Sequence, residues 1–213
     1  MRKMWLVPVL TAASILGLAV VVPPAAAFAA PGVQLAAADT PVEAPGDRIL
    51  GKADAPITIF EYASLTCPHC AAFETETLPK LKKEWIDTGK AKLILRAFPL
   101  DASALKASVL ARCAPPERFY GFIETLFASQ EAWGRSADPT PGLERIAKLG
   151  GMSEDQFKAC MSNDAIEKEV LAMRMAGAKQ YGVESTPTFF INGKKLVGAQ
   201  PYEQFETMLK AAS

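Results

Sequence analysis

Two cysteines two residues apart, with the chain's only histidine between them, are the residues best suited to chemistry: Cys67-Pro68-His69-Cys70. Thiols at this spacing can close into a small disulfide and reopen, passing two electrons. Two blander uses compete. A CxxC can be half of a zinc site, but zinc needs two further ligands. Only Cys113 and Cys160 remain, well separated, with no second histidine. A local structural disulfide is the other alternative. Position argues for reactivity. Proline is favoured at the first helical position, which puts Cys67 at the N-cap. A sulfur there can accept from the unpaired N–H groups of His69 and Cys70 and feels the positive end of the helix. Both favour thiolate, so the Cys67 pKa should fall below that of a free cysteine, and further if His69 is protonated nearby. Stabilising the thiolate stabilises the reduced protein, which makes the disulfide the stronger oxidant. Cys70, a turn further in, should be less exposed and should resolve mixed disulfides.

The surrounding elements suit that position. "ITIFEYA", Ile57 to Ala63, is β-branched and aromatic and reads as a buried strand. A helix from Pro68 to Gly89 follows, with Pro79 inside it as an expected kink. "KLILRAFPL", Lys92 to Leu100, is the next strand, completing a parallel βαβ unit. Residues 101–182 read as helical. Pro115 and Pro116 open a helix carrying "RFYGFIETLF", Ser153 and Gln156 offer a capping box, and Asn163 or Asp164 caps a longer helix. Phe119, Phe122, Phe127 and Trp133 read as core rather than as a binding surface. Asn192-Gly193 between two short apolar runs signals a type I′ hairpin. "PYEQFETMLKAA" closes as an amphipathic helix, with Tyr202, Phe205, Met208 and Leu209 on one stripe. The order is βαβ, a helical block, then ββα.

Length and composition set the frame. The chain of 213 residues is half hydrophobic with no formal net charge, so a globular body is expected. Neutrality argues against nucleic acid as a partner. Arg2 and Lys3, an uncharged apolar run and small residues at A-x-A spacing give residues 1–29 the layout of a secretory signal peptide, with cleavage after Ala27 or Ala29. An uncleaved membrane anchor is the alternative. Residues 30–50, rich in Ala, Pro and Val, read as a flexible tail. Export implies an oxidising compartment, where disulfides are the default.

The CPHC tetrad, the βαβ…ββα order with a helical insertion, and "STPTFFING" downstream resemble the periplasmic thiol:disulfide oxidoreductases of the DsbA type. The resemblance covers roughly Gly51 to the C-terminus. It implies an α/β thioredoxin fold, residues 51–100 and 183–213, interrupted by an all-helical insertion domain, residues 101–182. It implies that Pro187 is cis and faces the tetrad, and that Thr186 presents its backbone to a substrate docking as an extra strand. The best-known oxidases of this type carry valine at that place, and isomerase relatives more usually threonine. Glu61, six residues before Cys67, matches a buried acid of the family. Strand alternation puts it on the face of Ile57 and Ile59, where its pKa should rise and it could relay the Cys70 proton.

With Cys67 and Cys70 paired internally, Cys113 and Cys160 are left for each other. A structural link there stabilises by roughly 4 kcal/mol in the chain-entropy model. Some members of the family carry such a second disulfide in the insertion. The resemblance implies a monomeric protein disulfide oxidase of the periplasm without metal or cofactor. It would act on reduced, unfolded or folding exported proteins, and a membrane quinone-linked partner of the DsbB kind would reoxidise it. A reductase or isomerase kept reduced is the first rival; a non-enzymatic binding protein is the second.

Overall fold

The computed structural model describes residues 40–213. The signal-peptide reading of residues 1–29 and the first part of the tail lie outside them. Strand β1 (Ile49–Leu50) precedes β2 (Ile57–Ala63), which is followed by a long helical stretch. That stretch alternates winding: α1 (Pro68–Ala72), a π-helical turn (Phe73–Thr77), α2 (Leu78–Leu81) and a second π-helical turn (Lys82–Ile86). Pro79 lies at the start of α2, just after the first π turn. Its missing donor thus falls where the ladder has already widened, so the chain absorbs the proline as a π-bulge. Strand β3 (Ala91–Ala97) then runs parallel to β2, with Ile57 opposite Ala91 and Ala63 opposite Ala97.

The helices α3 (Ala102–Cys113), α4 (Phe119–Ala128), α5 (Gln130–Gly134), α6 (Thr140–Leu149), α7 (Glu154–Met161) and α8 (Asp164–Lys179) follow. Ser153 and Gln156 form the capping box on α7, and Asn163 caps α8 by accepting from Ala165 and Ile166 N–H. Strands β4 (Thr188–Ile191) and β5 (Lys194–Val197) form a hairpin in which Asn192 and Gly193 both take positive φ, 42° and 88°. This is the twist-matched turn that Asn-Gly favours. Helix α9 (Tyr202–Lys210) ends the chain. The sheet order is β1-β3-β2-β4-β5, with β4 antiparallel to β2.

Strand alternation sorts the core. Ile57, Ile59 and Ala63 face the larger cluster, which holds Phe73, Leu81, Phe189 and Phe205 and runs into the insertion through Phe119, Phe122, Phe127 and Trp133. Phe60 and Tyr62 face the other side, with Ile94, Phe98 and Phe190.

The expectation of a flexible tail over residues 30–50 does not hold for its described part. Residues Val42 to Leu50 form a strap held by three cations that lie buried on other elements. Lys92 pairs with Glu43, Arg96 pairs with Asp47 at 2.8 Å and donates to the Val42 carbonyl, and Arg112 donates to the Gly46 carbonyl and pairs with Glu169. Buried cations need compensating acceptors, and the strap supplies them. Composition hides this, because the partners lie about 50 residues away or more.

Candidate functional site: a thiol pair at a helix start

The loop Ser64–Cys67 carries β2 into α1. Cys67 has extended backbone (φ −80°, ψ 120°), Pro68 opens the helix, and the Cys67 carbonyl accepts the first helical bond from Ala71 N at 3.2 Å. Pro68 and His69 are exposed; Cys67 is 7% exposed and Cys70 fully buried. Neither cysteine is in a disulfide. The Cys67 thiol donates to the Thr186 carbonyl at 3.4 Å, so its sulfur faces the loop before β4. The Thr186–Pro187 bond is cis. The tertiary structure thus brings together two segments more than a hundred residues apart, as the resemblance implies.

The surroundings push the two thiols in opposite directions. The Cys67 pKa is lowered to about 5. The largest cause is the Cys70 thiol, whose S–H can donate to the anion; burial opposes it. The Thr186 side chain, whose buried hydroxyl has no hydrogen-bond partner among the described residues and can turn toward the anion, and the N–H groups of Cys70 and His69 complete the stabilisation. The sulfur makes no full capping bond to these amides. His69 acts on the sulfur through its backbone. Burial pushes the Cys70 thiol far above the ordinary range, and its bond to Cys67 and the charge of Glu61 push the same way. One sulfur is therefore an anion at neutral pH and the other keeps its proton.

Glu61 lies opposite Leu95 on β3 and Phe189 on β4, fully buried. Among the described residues no protein group bonds either carboxylate oxygen. Burial holds its pKa well above the usual range, with Glu74 and Cys67 adding repulsion. Glu74, on the π turn after α1, is pushed up to about 7 by burial and then by Glu124. Sequence reasoning missed Glu74, since a lone glutamate on a helix is ordinarily solvated. It also missed Gln130 and Asp101, which bond this loop from the insertion. Asp101 had a signal as the N-cap of α3; Gln130 had none.

Cys113 and Cys160 form a disulfide with Cα atoms 5.9 Å apart, joining the end of α3 to α7. Leu100 and Val197 are exposed apolar residues near the site, one bonded through its N–H to Ser64 Oγ, the other opposite Thr188. Among the described residues no cluster of metal-ligating groups occurs, and no helix is long and apolar enough to cross a membrane.

The fold and site together define a thioredoxin-type domain with a CxxC pair facing a cis-proline loop. Comparison with known proteins agrees. Residues 43–211 match the thioredoxin family. The crystal structure of alpha-DsbA1 from Wolbachia pipientis superposes with a TM-score of 0.76 at 34% identity, covering 80% of this chain and 92% of that one. A Rickettsia bellii protein, named provisionally as a protein-disulfide oxidoreductase, is 36% identical over 148 residues, 69% of this chain. The match spans only 57% of that relative's length. Disulfide bond formation protein D of Bacillus subtilis is 26% identical over 179 residues, covering 78% of this chain and 76% of that protein. The chain belongs to the thioredoxin family, on its DsbA-type branch.

Proposed function

We propose that this chain is an exported thiol:disulfide oxidoreductase working as an oxidase of folding proteins in the periplasm. A substrate thiolate attacks Cys67 of the Cys67–Cys70 disulfide. The Cys67–Cys70 bond breaks as the mixed disulfide forms, and Cys70 leaves with the electron pair and takes up a proton that Glu61 can relay. A second substrate thiolate then attacks the substrate sulfur. The product disulfide departs and Cys67 leaves as a stabilised thiolate. Two electrons move from the substrate to the pair, and a membrane quinone-linked partner of the DsbB kind would remove them.

The observation that carries this reading is the placement of the thiols: the Cys67 sulfur sits at the mouth of α1 against the cis Thr186–Pro187 loop while Cys70 is fully buried, surroundings that lower the Cys67 pKa to about 5 and keep Cys70 protonated. Low leaving-group pKa speeds release of Cys67 and weakens the disulfide against reduction. The names of the relatives support the same chemistry. A redox titration against glutathione tests direction: an equilibrium potential near that of thioredoxin would exclude the oxidase. Cys67→Ser should abolish oxidation of a reduced peptide. A second reading, an isomerase kept reduced, rests on Thr186, whose carbonyl faces the Cys67 sulfur. Isomerisation of a scrambled substrate by the reduced protein at rates exceeding oxidation would favour it.

A further inference from the structure

The loop that carries Cys67 is braced from the insertion. From α5, Gln130 Nε2 lies 2.9 Å from the Leu65 carbonyl and 3.0 Å from the Cys67 carbonyl. Carbonyls only accept, so the NH2 end of the amide must face the loop. Beside it, Thr66 Oγ1 donates to Asp101 Oδ2 at 2.6 Å, while Asp101 Oδ1 caps α3 by accepting from Ala104 N. Ser64 Oγ accepts from Leu100 N. Each residue of Ser64–Cys67 is thus held by a group outside the strand–loop–helix unit, and two of the braces, Asp101 and Gln130, belong to the helical block.

We propose that Gln130 is a positioning residue for thiol exchange: it donates one amide proton to each of the Leu65 and Cys67 carbonyls and so makes the helical insertion the scaffold of the redox loop. The inference rests on Cys67 being the sulfur that substrate thiolates attack and that leaves as a thiolate in the proposed function. The reason is first geometric. The Cys67 carbonyl also takes the first bond of α1, so holding it orients the peptide plane between Cys67 and Pro68. That plane sets where the sulfur lies relative to the His69 and Cys70 amides and the Thr186 carbonyl. The second reason is electrostatic. Two carbonyl oxygens beside a thiolate carry negative partial charge, and a donor on each reduces the repulsion.

The test uses the full reduced protein, with Gln130→Met (similar length, no donors) and Gln130→Glu (an acceptor facing acceptors) beside wild type. Thiolate absorbance at 240 nm against pH gives the Cys67 midpoint; oxidation of a reduced model peptide gives kcat and KM. Gln130→Met should raise the midpoint by about half a pH unit to one. It should lower kcat by about three- to tenfold with KM nearly unchanged. Gln130→Glu should move both further the same way. If wild type exchanges thiols with a low midpoint and Gln130→Met matches it in midpoint and kcat, this inference alone fails. If wild type itself titrates like free cysteine and does not exchange, the reading of Cys67 fails instead. Should the variants not fold, wild-type NMR decides: slow exchange of the Gln130 side-chain amide protons is expected, and rapid exchange with solvent overturns the brace.

Discussion

Acidifying the reduced protein should remove a large, calculable part of its stability. Cys67 titrates at about 5 in the folded chain, against about 8.5 for a free thiol in the unfolded one. Because the folded value is the lower, the anion stabilises the reduced native state fully above the unfolded value. That gain is lost as pH falls through the folded value. Weighting both protonation states gives about 4 kcal/mol at pH 8, about 2.7 at pH 7 and under about 0.5 at pH 5. These are ceilings, because solvent at the mouth of the helix screens the sulfur. At pH 7 the same energy corresponds to about 60 mV of reduction potential for a two-electron couple. The assay is urea denaturation of reduced wild type and of Cys67→Ser, each at pH 8, 7 and 5, with absorbance at 240 nm following the thiolate. The difference between the proteins should collapse across that range. A difference that stays flat, or a thiolate midpoint near 8.5, is incompatible with a sulfur held as an anion by α1 and Cys70.

Thr186→Val should raise the thiolate midpoint, since the lost hydroxyl favours the Cys67 anion; an unchanged 240 nm titration would exclude that contact. Glu61→Gln should stabilise the protein at pH 7 by about 1–3 kcal/mol, because it removes a buried carboxyl, unpartnered among the described residues, whose ionisation favours the unfolded chain. The folded pKa of Glu61 is raised, so its penalty grows as pH rises above the unfolded value and vanishes below it; the gain should therefore fade near pH 4 in urea melts. Lower stability of Glu61→Gln at pH 7 would contradict the assignment. Replacing both Cys113 and Cys160 with alanine should cost about 2–4 kcal/mol while leaving the Cys67 midpoint unchanged, measured by denaturation and absorbance together. Asp47→Asn should cost about 3 kcal/mol or more in thermal or urea unfolding, because Arg96 would remain buried with a neutral partner.

What the sequence determined by itself is local. Alternation in "ITIFEYA" put Glu61 on the same face as Ile57 and Ile59, as a period of two requires, and burial on both faces of the strand encloses it. Pro68 after Cys67 marked a helix start with a sulfur at its mouth, and Asn192-Gly193 marked its hairpin, because each signal is carried by neighbouring residues. The tertiary structure decided what depends on partners distant along the chain. It set the Thr186 carbonyl against the Cys67 sulfur across 119 positions, whereas the Cys113–Cys160 bond is the pair that counting cysteines had already left. It turned an apparently featureless segment into a strap by presenting Lys92, Arg96 and Arg112 to it. It also brought Gln130 onto the redox loop from 63 residues downstream of Cys67. No composition or periodicity encodes these contacts, because a buried charge, an amide or a thiol is matched only when the folded chain closes those loops.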